Sequence, residues 1–337
     1  MNLFKGNHTG GIARSFFSLG VALVLMLVSC SKPEVRLQRF EQDLFDSSAG
    51  LNEGHFNQLE QKYGVFYESF SKDLINIPEE EAQVNYVPGL VSFIRYPTIQ
   101  KLKHELDSVY PNLDFLKAEL QDAMAEYQDE FPDERIPEFV TFLSEFGYAH
   151  VSYDTLIGIG LDMYMGADYP IYPALEFPEF MTKKLRREYI VPNTMKSLAI
   201  SKYENQLRDK RFVAMLIFEG KLRYFMKAML PNAHDSLILG YSAEQLKWAE
   251  ENESMIWGHI IDSKLLYSKD VSRYMRYFDD GPFTSAPGVP AESSPAIGVF
   301  AGYKLVQQLM EAENLSLKEL MNSNNWDELL KRSKYRP

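Results

Sequence analysis

The sequence predicts an α+β protein, predominantly helical, with a small β-sheet. Three observations carry this. Apolar residues recur three and four apart over much of residues 35–131 and again from Pro192 onward, the period of a helix with one buried face. Between those halves lie two short, apolar, partly β-branched runs, Phe139-Val-Thr-Phe-Leu and Leu156-Ile-Gly-Ile-Gly-Leu, which read as strands. A composition of 45% hydrophobic and 24% charged residues supports a packed core and argues against disorder.

In chain order, the first 29 residues hold Lys5 and Arg14 but no acid, and Phe16–Val28 is an apolar run of 13 residues in which only Ser18 is polar. A membrane-spanning helix needs about 20 apolar residues, so this run is short for a span. With a basic start and small residues near its end, it describes an export signal. It stops at Leu27-Val28-Ser29-Cys30, which resembles the bacterial lipobox, whose cysteine is lipidated and becomes the mature N-terminus. Cys30 is the single cysteine of the chain. That excludes an intramolecular disulfide and any Cys-rich metal module. Residues 1–29 are therefore expected to be a lipoprotein signal peptide, 30–35 a lipidated tether, and 36–337 a single globular body held at the membrane through the N-terminal lipid. Cleavage removes two basic residues and no acid, taking the net charge from −12 to −14. Such a body is repelled by anionic headgroups and lacks the basic footprint that nucleic-acid binding requires.

Within the body, Leu37, Phe40, Leu44 and Phe45 share one helical face, and a second helical run covers about 56–76. Pro78, Pro88 and Pro97 punctuate the next stretch. Helices are expected over about 98–109 and 112–131, the second bracketed by Pro111 and Pro132. A turn or loop around 147–154 should join the two strands. One helix runs from Pro192 to about Leu207. Another runs from Arg211 to about Leu230 and opens with FVAMLIF (212–218), apolar all round and so deeply buried. Ser242 with Gln245 predicts a capping box ahead of a long helix to about Leu266, and Ser316 with Glu319 predicts another. Gly281–Gly298 contains four prolines. Loops of that length are uncommon in compact domains and often functional.

Catalytic signatures are sparse. No two of the six histidines lie three or four apart, so no helical pair of zinc ligands exists. There is no Gly-x-Ser-x-Gly elbow and no Gly-rich phosphate loop. Gly158-Ile159-Gly160 lacks the third glycine of a dinucleotide fingerprint, and glycine inside a strand more often marks close packing. Glu219 stands out because it follows a buried apolar run. A carboxylate there must be paired, hydrogen-bonded or protonated. The residue chemistry favours a structural acid held by Lys221, Arg223 or a backbone cap.

Several segments combine with the lipobox: RFEQDLF (39–45), GLDMYMG (160–166), IVPNTMK (190–196), FEGKLRYFM (218–226), DDGPFT (279–284) and SPAIGVFAGYKLVQQLM (294–310). In that order they resemble the gliding-motility lipoprotein GldB family of Bacteroidota over most of the mature chain. The resemblance implies a cell-envelope lipoprotein required for gliding, linked to type IX secretion, with other gliding and secretion envelope proteins as partners. Surface lipoproteins of that phylum often carry an acidic run after the cysteine. Ser31-Lys32-Pro33-Glu34 does not, which favours a periplasm-facing position. The C-terminal half is similar, more remotely, to gluzincin-type zinc proteases. This resemblance divides the body into an N-terminal helical part, 36–135, and a degenerate zincin-like part, 136–337. Glu219-Gly220 matches the family's Glu-Gly pair and Gly302-Tyr303 its late helix. The helix from Pro192 stands where HExxH belongs and holds no histidine. The expectation is a pseudoenzyme with no catalytic residue, metal or cofactor, in which Glu219 and Gly220 are vestigial. Two alternatives stay open. One is a metal-dependent hydrolase with non-standard ligands. The other is an envelope glycan-binding lipoprotein, suggested by 13% aromatic residues and 20 tyrosines.

Overall fold

The computed structural model describes residues 32–48, 50–75, 86–153 and 155–337. Residues 1–29, expected to be a signal peptide, and Cys30 and Pro78 lie outside the described residues. The fold is α+β and predominantly helical around one small sheet, as the sequence predicts. Strand β1 (Leu37–Arg39) leads directly into helix α1 (Phe40–Phe45). The helical face read from Leu37 therefore begins three residues too early, because a three-residue strand has no period of its own. Helices α2 (Glu53–Tyr63) and α3 (Val65–Ser69) come next, with a π turn at Phe70–Leu74. The expected continuous run is broken at Gly64, whose φ of 50° an ordinary residue resists. Helices α4 (Val87–Arg95), α5 (Pro97–Val109) and α6 (Asp114–Glu130) complete this half.

Beyond them lie β2 (Glu138–Phe142), β3 (His150–Tyr153) and β4 (Leu156–Gly160), giving a four-stranded sheet of order β1-β2-β4-β3. β2 and β4 are parallel neighbours, with Val140 opposite Gly158, and β3 runs antiparallel along the outer side of β4. The expected pair of strands joined by a loop is thus corrected: the linking segment itself supplies the edge strand. Near-continuous apolar runs such as β2 and β4 are typical of buried parallel strands. The sheet divides two cores. Val140, Phe142 and Leu156 face an aromatic cluster with Phe40, Phe66 and Phe70, while Phe139, Ile157 and Ile159 face the larger helical core. Gly158 makes this possible, since a Cβ there would stand 2.5 Å from Val151 and 3.0 Å from Phe66.

The larger core is built on α7 (Ile190–Tyr203) and α8 (Phe212–Met229), then α9 (Asp235–Leu239). The capping box at Ser242 is present, but the long helix it opens is two, α10 (Ala243–Glu251) and α11 (Glu253–Asp262). The break falls at Asn252, whose side-chain amide donates to the Trp248 carbonyl at 2.8 Å, in competition with the helix backbone. After the 281–296 loop come α12 (Ile297–Ala312), α13 (Leu317–Asn322), with its Ser316–Glu319 capping box, and α14 (Trp326–Ser333). α8 lies between α7 and α12. A Cβ on Gly220 would stand 2.1 Å from the Gly302 carbonyl oxygen, and one on Gly302 would stand 2.0 Å from that of Leu216. The two backbones therefore touch. No helix among the described residues is long and apolar enough to cross a membrane.

Candidate functional site

Segments far apart in sequence meet at one cavity of about 260 Å³. IVPNTMK supplies Asn193 and Lys196, FEGKLRYFM supplies Arg223 and Met226, DDGPFT supplies Asp280, and SPAIGVF supplies Ala296. α7 and α8 place their groups by helical spacing. Asn193 and Lys196 are three apart on one face of α7, while Met195, Leu198 and Ala199 go to the core. Glu219 and Arg223 are four apart on α8 and bonded at 2.9 Å. Their side chains are 18% and 10% exposed, so solvent screens the pair weakly. Also lining the cavity, the Lys184 ammonium meets Asp280 at 2.6 Å. Lys196 sits between these pairs. The Arg223 charge, its own burial and the Lys184 charge lower its pKa to about 8, against the pull of Glu219 and Asp280.

Beside the cavity, β3 lies against α7 through uncharged polar contacts. His150 Nε2 is 2.9 Å from the Thr194 hydroxyl, which donates its own proton to the Ile190 carbonyl at 2.7 Å. Thr194 therefore accepts, and Nε2 carries the imidazole proton. The Tyr164 hydroxyl faces Nδ1 and accepts from the Asn193 amide at 3.0 Å. Ser152 and Ser197 meet one step along, at 2.8 Å. His150 keeps some exposure at the sheet edge, but its ring is crowded by neighbouring atoms, and that burial lowers its pKa to about 3. The ring is neutral at physiological pH and holds the strand to the helix.

Asp162 anchors the turn that leads into β3. Its Oδ2 accepts from the backbone N–H of Ser144 at 3.1 Å and of Phe146 at 2.7 Å. In that turn Glu145 and Phe146 have φ of 55° and 66°. RFEQDLF serves a comparable structural purpose. Buried Glu41 binds Arg39 at 2.7 Å and accepts from the Thr141 hydroxyl at 2.7 Å, joining α1 to β2. The long proline-containing loop is pinned at its neck, where the buried Thr284 hydroxyl donates to the Ser294 carbonyl at 2.8 Å. Gly281, Pro282 and Pro295 border a second recess of about 470 Å³ beside Lys184 and Tyr241.

The family of gliding motility protein GldB matches residues 27–337. The chain belongs to this family. No curated protein and no solved structure gives a match.

In this GldB-family chain, Cys30 lies inside the family match but outside the described residues. Glu219 is an ion-paired acid whose partner, Arg223, lines the cavity. Lys221 turns the other way, its ammonium donating to the carbonyls of Met321 at 2.9 Å and Ser323 at 2.8 Å. Gly220 is the contact point with α12, and Gly302 of the late Gly-Tyr pair is what it touches. Among the described residues, no three His, Cys, Asp or Glu side chains are grouped to hold a metal ion. His150, Asn193, Tyr164 and Lys196 were not singled out by sequence reasoning. Asn193 and Lys196 did lie within IVPNTMK, and two polar residues three apart on a mostly buried helix were the available signal.

Proposed function

We propose that the chain is a lipid-anchored, non-catalytic component of the gliding machinery, acylated at Cys30 and periplasm-facing. It acts through contacts with other gliding and type IX secretion proteins, on a degenerate zincin-like scaffold. Membership of the GldB family supports the gliding role, and the family match begins at the Leu27-Val28-Ser29-Cys30 segment. The order of α7, α8 and α12, with Glu219-Gly220 against Gly302, supports descent from a gluzincin-type arrangement.

The observation that carries the non-catalytic reading is the state of Glu219. Its carboxylate is engaged by Arg223 at 2.9 Å, and Lys196 stands nearby on the helix that would have to supply histidines. A zinc ion there would have one protein ligand where catalytic sites use three, beside two cations that repel it. Glu219→Gln, expressed in place of the native chain, should leave colony spreading intact, and the purified native chain should hold zinc far below one equivalent after dialysis. Spreading lost at normal protein level, together with stoichiometric zinc in the native chain, would overturn this reading.

A further inference from the structure

Charge bookkeeping around the cavity leaves one group over. Its borders carry three cations, Lys184, Lys196 and Arg223. Two carboxylates face them, and both are committed: Asp280 to Lys184 at 2.6 Å, Glu219 to Arg223 at 2.9 Å. The Lys196 ammonium makes no hydrogen bond and no close ion pair with any described residue. Two other polar groups nearby are engaged. The Asn193 amide donates to Tyr164, and the buried Tyr241 hydroxyl, close to Arg223 and Asp280, donates to the Pro295 carbonyl at 2.7 Å. Tyr189 borders the space as well. An ammonium with no partner of its own, set beside the Arg223 and Lys184 charges in a shielded recess, is costly unless an anion meets it.

We infer that this cavity binds one carboxylate on a short apolar stem, with Lys196 as the counter-charge and Arg223 as a second donor. The volume of about 260 Å³ accommodates an acid group with a few carbons. Met226, Leu237 and Phe278 on its walls suit the stem. A small organic acid and an acidic or C-terminal residue of a protein share this chemistry. The inference deepens the binding role proposed above and is independent of whether the chain is catalytic. Metal content and Glu219→Gln test catalysis, whereas an anion titration tests the pocket.

The probe is butyrate, and the readout is the side-chain carbon resonance of Lys196 in the full-length chain with labelled lysine. Without butyrate, Lys196 should titrate near 8, below the exposed lysines and above buried Lys221, which desolvation lowers to about 7. With saturating butyrate its midpoint should rise by about one pH unit, a tenfold change in the proton equilibrium. Lys196→Arg should retain butyrate binding, measured by calorimetry, and Lys196→Met should lose it at unchanged melting temperature. A glutamate peptide with blocked termini and a free side-chain carboxylate distinguishes the two sources: binding of the peptide as tightly as free butyrate marks a protein ligand, weaker binding a small acid, and either supports the pocket. A Lys196 midpoint unmoved by butyrate, or calorimetric butyrate binding that persists in Lys196→Met, overturns it.

Discussion

Asp162 and His150 titrate in opposite senses. Burial raises the Asp162 pKa from 3.8 to about 6, despite the backbone N–H groups of Phe146 and Ser144 that favour its charge. The folded state therefore holds this proton more tightly than the unfolded chain. Its contribution is full below pH 4 and is lost as the pH rises toward 6. His150 is the reverse. Its pKa falls from 6.5 to about 3, so its contribution is present above pH 6.5 and is lost on acidification. Between about pH 4 and 6 the two slopes oppose, each of order 1.4 kcal/mol per pH unit. Asp162→Asn removes one of them. Relative to the native chain, the variant should lose roughly 2–3 kcal/mol more stability between pH 6 and pH 4. Urea denaturation across that range measures it, and parallel curves for the two proteins would refute the assignment. Neither residue was legible in the sequence. A single His or Asp carries no spacing signal, and its environment is made by elements such as α7 that are distant in the chain.

At the scale of elements, legibility followed length. The long helices α5, α6, α7, α8 and α12 were readable because several turns of apolar period identify a buried face. The capping boxes at Ser242 and Ser316 were readable because their chemistry is local. β1 and β3 were not, since three or four residues hold no period and β1 is defined by pairing with a strand about a hundred residues later. The glycines were half legible. Gly220 and Gly302 belong to matched segments, but their mutual contact appears only when α8 and α12 are placed together. That contact predicts opposite outcomes for the same substitution at two helical sites. Gly302→Ala puts a methyl group into the backbone of α8 and should cost about 1–3 kcal/mol or more through forced separation of the helices. Gly258, within α11, has nothing within 4 Å of a Cβ. Gly258→Ala should gain about 0.5–1 kcal/mol by helix propensity alone. Thermal melts of the two variants should move in opposite directions; a Gly302→Ala melt that does not fall would show that the α8–α12 contact is looser than its geometry states.

For the whole molecule, the question is what holds it at the envelope. The chain carries a net charge of −12, and removal of residues 1–29 would make it −14. An acidic body is repelled by anionic headgroups, so electrostatics work against attachment. No helix among the described residues is long and apolar enough to cross a bilayer. On the proposed acylation of Cys30, attachment rests on buried methylenes at about 0.8 kcal/mol each, and one chain gives only reversible binding, so stable anchoring needs more than one. Two consequences separate this from charge-driven or protein-mediated attachment. Washing membranes with high salt or alkaline carbonate should leave the native chain in place, because neither weakens acyl burial, whereas detergent should release it. Cys30→Ala should move the protein to the soluble fraction and abolish spreading, while its urea denaturation midpoint stays that of the native body, which the sequence places at 36–337. If the Cys30→Ala chain sediments with membranes and supports spreading, the lipid is not the anchor. The acidic body must then be held by a partner protein strong enough to overcome its charge.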